Sequence, residues 1–268
     1  MTREILVVGI ATGAPEHLTL QAVDALRRID VVLVADKGEV KSDLSGWRRA
    51  VCERFRDDGG PRIIEVPDPS RGSDIDKNDR QYDAGVRDWH AARVAAYEEI
   101  LRDLPPGQVV GFLVWGDVGY YDSTLRIVDA LGERMPISCT VIPGIGAVAL
   151  LAAAHRIHLN RIGSAIHVTT GRRLVGEFER YGEELGDVVV MLDSYLRCTE
   201  LVESHPDLWL YWGAYLGMPQ EVLLSGRLAD VAEELVELRA RLKAEHGWVM
   251  DTYLLRPPGP VPGAAPSA

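Results

Sequence analysis

Three glycine-centred turns, each directly after a short apolar run, hold the residues best suited to chemistry. They are Gly9-Ile10-Ala11-Thr12-Gly13-Ala14-Pro15, Gly116-Asp117 and Pro143-Gly144-Ile145-Gly146. Glycine lets the backbone come close to a ligand. If the apolar runs are parallel strands, the turns lie outside their carboxyl ends, where open α/β sheets bind small molecules. Three tight turns would need small residues even without a ligand, so spacing alone does not decide. A dinucleotide reading fails in detail: Gly9 and Gly13 are not in G-x-G-x-x-G spacing, and no third glycine opens the helix. Asp36 stands where a ribose-binding acid would fall, but an acid after a strand is common. Asp117 is equally a turn acid or a carboxylate held near a ligand.

Other polar groups offer further chemistry. His155 and His158 have a spacing that can bind metal, but no third ligand accompanies them and no metal is expected. Arg172-Arg173 can hold a carboxylate bidentately or be solvated. Trp89, His90 and Arg93 share one face of a helix. Cys52, Cys139 and Cys198 lie far apart, which leaves neither a disulfide framework nor a zinc cluster and suits a reducing cytoplasm. The net charge of −11 argues against nucleic acid. A polyanionic small molecule would need local arginines to overcome that field.

The elements that must position these groups are legible as patterns. Ile5 to Ile10 is a buried strand, Leu18, Ala22, Ala25, Leu26 and Ile29 form one helical stripe, and Val31 to Ala35 is a second strand. This βαβ unit predicts a parallel sheet. Pro67 to Gly85 is polar and reads as a long loop. A helix follows with Trp89, Val94, Tyr97, Leu101 and Leu104 on one side. Val109 to Trp115 is another strand, and Asp122 or Ser123 caps the next helix. After Gly146 the strands at 165–169, 188–192, 208–212, 221–224 and 249–255 cluster around few helices, the clearest carrying Leu228, Val231, Leu235, Leu238 and Leu242. The prediction is an α/β protein of two domains: residues 1–146 around a parallel-type sheet, residues 147–256 a smaller mixed-sheet α+β domain, and a disordered tail from 257 to 268. At 268 residues the chain suits two such domains. No apolar stretch reaches membrane-spanning length, and no secretory signal is expected.

Several strings carry a resemblance. The order Val8-Gly9…Gly13…Pro15…Leu18-Thr19, Gly116-Asp117…Tyr121 and Val141-Ile142-Pro143-Gly144-Ile145 is similar to that of the tetrapyrrole methylases. Longer strings resemble one branch that also deacetylates its substrate: Asp36-Lys37-Gly38-Glu39, Trp89-His90 with Arg93, Val114-Trp115-Gly116-Asp117, and Tyr121 to Arg126. So do Thr170 to Leu174, Tyr211 to Gly217, His246-Gly247-Trp248 and Met250 to Leu255. The resemblance runs from the first strand to about Arg256. Three positions depart from it: Val118 replaces a proline, Ala11-Thr12 stand where a second glycine is common, and Gly146 replaces a serine or threonine.

The resemblance implies that S-adenosyl-L-methionine is methyl donor, leaving as S-adenosyl-L-homocysteine, and lies in the cleft between the two domains. Its contacts would be Pro15, Trp115, Gly116, Asp117, Tyr120, Tyr121, Gly146 and Ala147, with Met191, Gly217 and Met218. The implied reaction is methylation of a ring-contracted tetrapyrrole at C-1 with loss of its acetyl group as acetate, in cobalamin biosynthesis. Arg126, Arg161, Arg172 and Arg173 would hold substrate carboxylates, and His90, Asp36, Asp122, His155 and His158 remain open as the base that activates water. A cytoplasmic homodimer is implied, with neither nucleic acid nor membrane as partner. The alternatives are a precorrin or uroporphyrinogen methyltransferase acting at another ring position, a nicotinamide oxidoreductase, or a non-catalytic tetrapyrrole-binding protein.

Overall fold

Alternate residues of the first strand enter two different cores, and this sets the architecture of the first half. The computed structural model describes residues 2–36, 42–56, 59–69 and 79–258. It divides into two compact units, Met1–Gly146 and Ala147–Ala268.

In the first unit, strands β1 (Arg3–Gly9), β2 (Val31–Asp36), β3 (Arg62–Pro67), β4 (Val110–Val114) and β5 (Ile137–Ile142) pair in the order β3-β2-β4-β1-β5, every pair parallel. Helices α1 (Leu20–Arg28), α2 (Ser42–Arg54), α3 (Asp79–Asp103) and α4 (Thr124–Gly132) connect them. Side chains alternate across a strand. Ile5 and Val7 therefore join Val94, Tyr97 and Leu101 of α3 and Ile127 and Leu131 of α4. Leu6 and Val8 join Ala22, Leu26 and Ile29 on the other face, with Val51 of α2. The central strands β1 and β4 are covered on both sides, which is why their sequences are nearly all apolar.

Local differences from the predicted elements have physical causes. Pro15 opens a short 3-10 turn, Pro15–His17, and α1 starts only at Leu20, where the Thr19 hydroxyl accepts the Ala22 N–H at 3.0 Å. The expected loop from Pro67 to Gly85 is cut short because α3 begins at Asp79; residues 70–78 lie outside the described residues. Lys37, Gly38, Glu39 and the tail from 259 also lie outside them. Asp122 does cap α4, accepting the Thr124 N–H at 2.7 Å, while Ser123 makes no side-chain cap.

The second unit has strands β6 (Ile166–Thr170), β7 (Asp187–Met191), β8 (Trp209–Ala214), β9 (Val222–Arg227) and β10 (Asp251–Arg256) in the order β6-β7-β10-β8-β9. Only β6 and β7 are parallel, so the sheet is mixed, as predicted. Helices α5 (Ala147–His155), α6 (Gly171–Tyr181) and α7 (Leu228–His246) surround it. Leu174 and Phe178 of α6 and Leu228, Leu235, Leu238 and Leu242 of α7 are buried in one cluster with Trp212 and Tyr253. Each such side chain contributes roughly 1.5–3 kcal/mol. Val231, read as part of the α7 stripe, is only partly buried. Gly247, at a φ of 75°, ends α7 by donating its N–H to the Lys243 carbonyl.

A polar network threads this second core. Asp251 accepts from Trp212 Nε1 at 3.0 Å and Arg239 Nε at 2.8 Å. Burial pushes the Asp251 carboxyl up, against the hydrogen bonds from Arg239 and Trp212. Asp193 accepts the Tyr195 and Arg197 N–H groups and the Tyr253 hydroxyl. Burial raises the Tyr253 hydroxyl well above its ordinary value, and pushes the Cys198 thiol up to about 12.

Candidate functional site

The order of the first sheet sets β1 between β4 and β5, so the turns that leave these three strands converge. Ala11 and Gly116 form a bridge, Gly116 N–H donating to Ala11 O at 2.8 Å and Ala11 N–H to Gly116 O at 3.3 Å. The third turn packs directly on both. A Cβ built at Gly144 would lie 2.2 Å from Gly116 O and 2.8 Å from Gly9 Cα, so no other residue fits that contact.

Asp117 bends back within its own turn. Its Oδ1 accepts the N–H of Gly119 at 2.6 Å and of Tyr120 at 3.3 Å. A Cβ at position 146 would lie 2.2 Å from Asp117 Oδ2. The glycine that departs from the serine or threonine of similar sequences therefore makes room for this carboxylate. Tyr120 and Tyr121 project beside it, 47% and 44% exposed. Trp115 and Ala147 are half-buried, as is Pro15.

Two non-glycine residues at these turns have a left-handed backbone, Ala11 at φ 56° and Tyr121 at φ 52°. In the second unit Leu192 (φ 54°) follows Met191 at the end of β7, and Tyr215 (φ 52°) follows β8, two residues before Gly217. Such conformations cost about 1–3 kcal/mol each and gather at binding sites. Ala11 bridges Gly116, Tyr121 follows Tyr120 and Leu192 follows Met191, whereas Arg156 (φ 54°) and Leu196 (φ 52°) share this backbone away from the expected cofactor contacts. Gly217 N–H donates to Glu221 Oε2 at 2.8 Å, and Met218 packs partly buried against the second core.

Beside the first-unit turns, past the ends of β2 and β4, is a cavity of about 70 Å³. Its polar lining is Arg48, Arg93, Tyr97, Asp122 and Thr124. Arg48 Nε donates to Leu113 O at 3.0 Å, and burial pulls its guanidinium below the ordinary value while Asp122 pulls it back. Arg93 lies 4.3 Å over the Trp89 ring and 2.9 Å from Asp68 Oδ1. Burial raises the Tyr97 hydroxyl, against the pull of Arg93. Arg48 and α2 itself were missed in the sequence, though Trp47, Val51 and Phe55 recur at helical spacing.

The base candidates separate. Asp122 lines the cavity, whereas Asp36 is exposed at the end of β2 and His90 sits half-buried against Trp89. His155 Nε2 is 2.9 Å from Trp212 O, which ties the ring to β8. His158 is exposed, and its carbonyl accepts from Arg256. The four arginines expected to hold substrate divide likewise. Arg173 pairs with Glu177 at 2.8 Å, and Arg161 Nε lies 3.7 Å from the fully buried Asp187. Arg126 Nη1 donates to Asp122 O at 3.3 Å, and Arg172 is exposed at the start of α6. Among the described residues no cluster of His, Cys, Asp and Glu could hold a metal, and no helix is long and apolar enough to cross a membrane.

Comparison with known proteins places these features. The precorrin-6A synthase [deacetylating] of Sinorhizobium sp is 42% identical over 257 residues, 95% of each chain. The precorrin-2 C(20)-methyltransferase of Sinorhizobium sp is 33% identical over 147 residues, 54% of this chain and 55% of its own. A putative cobalamin synthesis related protein (CobF) from Corynebacterium diphtheriae has a similar structure, with TM-score 0.77 and 38% identity, covering 96% of this chain and 99% of its own. The uroporphyrin-III C-methyltransferase from Thermus thermophilus, solved in complex with S-adenyl homocysteine, shares the fold at TM-score 0.59 and 18% identity, covering 94% of this chain and 97% of its own. Residues 4–232 match the tetrapyrrole (corrin/porphyrin) methylases. With its paired five-stranded sheets and its three interlocked glycine turns, the chain belongs to the tetrapyrrole methylase family.

Proposed function

We infer that this chain is an S-adenosylmethionine-dependent precorrin-6A synthase, which methylates precorrin-5 at C-1 and releases the acetyl group as acetate in cobalamin biosynthesis. The observation that carries the reading is the 42% identity to a precorrin-6A synthase across 95% of both chains.

The first-unit turns suit the cofactor chemically. S-adenosylmethionine has a cationic sulfonium and an α-amino group, an adenine ring and a carboxylate. Asp117 supplies the negative charge, Tyr120 and Tyr121 supply exposed aromatic surface, and the strained turns supply backbone groups held in place. His17 Nδ1, two residues after Pro15, is buried with no hydrogen-bond partner among the described residues. Pro15, Trp115, Gly116, Gly146 and Ala147 complete the first-unit contacts, and Met191, Gly217 and Met218 are those of the second unit.

When bound, the cofactor supplies an electrophilic methyl group whose departure leaves a neutral thioether. The protein's part in that transfer is alignment, and proximity supplies up to roughly 7–11 kcal/mol. Arg126, Arg161, Arg172 and Arg173 are the candidate holders of pigment carboxylates, and the enzyme works as a cytoplasmic homodimer.

The test is an anaerobic incubation with precorrin-5 and methyl-labelled S-adenosylmethionine, following pigment label and free acetate together. Label with equimolar acetate is the expected outcome. Cofactor binding with neither label nor acetate would reassign the substrate to another tetrapyrrole.

A further inference from the structure

Resting on the reading above, we propose that the cavity past β2 and β4 is the deacetylation pocket, with Asp122 as the base that activates water and Arg48 as the group that polarises the acetyl carbonyl. At roughly 10–15 Å³ for each water-sized occupant, a cavity of about 70 Å³ holds about five to seven non-hydrogen atoms. An acetyl group has three, and an attacking water adds one.

The lining matches the same pair. Leu113 and Ile127 give an apolar wall for a methyl group. Arg48 is anchored through Nε to Leu113 O, and Arg93 is held by Asp68 and Trp89, so the cationic side of the cavity is fixed before a ligand arrives. Asp122 faces this from the start of α4. Its Oδ1 is committed to the Thr124 N–H, and Oδ2 takes no hydrogen bond from any described residue. That oxygen is the acceptor a water needs. Asp36, His90, His155 and His158 do not line the cavity.

Asp122 takes one proton from water as the water oxygen bonds to the acetyl carbon, and the carbonyl oxygen gains negative charge beside Arg48. The bond from the acetyl carbon to the ring carbon then breaks. Its electron pair stays on the ring carbon, spread through the conjugated macrocycle, and acetic acid leaves and loses its proton. No oxidant, metal or further reactant enters.

Three measurements test this. Asp122→Asn keeps Oδ1 for the Thr124 cap but lacks the base. Single turnovers should show acetate release from precorrin-5 lowered about 10²–10⁴-fold. The loss should exceed that for methylation of the same pigment without its acetyl group by at least about 100-fold. Arg48→Met should lower acetate release about 10²–10³-fold, with partial recovery in Arg48→Lys. [¹³C]Acetate added to the protein alone should give a bound NMR signal that Arg48→Met abolishes. Normal acetate release by Asp122→Asn, or equal losses on both pigments, overturns this assignment alone. Wild-type protein that releases no acetate overturns the functional reading together with it.

Discussion

The two units treat their buried polar groups in opposite ways. In the second unit Asp193, Asp251, Arg239, Trp212 and Tyr253 answer one another inside the core, and their hydrogen bonds end on protein. In the first unit Arg48, Arg93, Tyr97 and Asp122 sit at strand ends around an open space. A sheet whose strands all run one way delivers every turn to one edge. A mixed sheet spreads its strand ends over both, and the polar groups that remain inside must pair with one another. The buried polar groups of the second unit are paired within its core, while those of the first unit face a cavity.

The largest effect should come from breaking the second-unit network. Asp251→Ala leaves the Arg239 guanidinium and Trp212 Nε1 buried without their acceptor, at a cost of about 3–5 kcal/mol, read as a lower urea midpoint. Cofactor affinity, measured below the transition, should change by less than about twofold. A larger change would dissolve the contrast between the units.

Gly146→Ala should do the reverse. Its Cβ displaces Asp117 from Gly119 and Tyr120. Overpacking costs about 1–3 kcal/mol, and S-adenosylmethionine affinity by titration calorimetry should fall about tenfold or more, the equivalent of one charged hydrogen bond. Adding Asp117→Ala removes the clash, so the double variant should recover stability but not affinity. Recovery of both would mean that the carboxylate has no part in binding.

The smallest effect concerns pH. Burial raises the Glu177 carboxyl, but hydrogen bonds from Thr169, Arg173 and His167 outweigh it and hold it below its ordinary value. A lowered carboxyl stabilises the fold above its unfolded pKa of about 4.3, and this is lost as pH falls through the folded value. Glu177→Gln should flatten the stability curve on that acid limb by under about 1 kcal/mol. An unchanged slope would show that the cluster contributes nothing.

What the sequence revealed follows the same division. The central strands were legible because cover on both faces forces apolar runs, and the glycine turns were legible because little else fits there. A common edge for the turns followed from a parallel sheet, but their direct packing on one another was not legible, since it depends on β1 lying between β4 and β5, a matter of sheet order. Arg48 was invisible for a different reason. It sits in Trp47-Arg48-Arg49-Ala50-Val51-Cys52-Glu53-Arg54, where nothing in the charge pattern separates it from its neighbour Arg49, and arginine is seldom buried. The role of His155 was set by the Trp212 carbonyl, 57 residues away. The polar stretch after Pro67 read as loop beyond its true end because the first turns of α3 carry few apolar residues.

The bridge between Ala11 and Gly116 has a consequence for how fast a ligand is captured. Two backbone hydrogen bonds lock these turns together, so their ordering entropy is lost during folding rather than at the encounter. A ligand that meets them finds its contacts already assembled, and affinity is not reduced by the cost of freezing a loop. Capture should then be governed by diffusion and orientation, with no slow closing step written into this part of the chain.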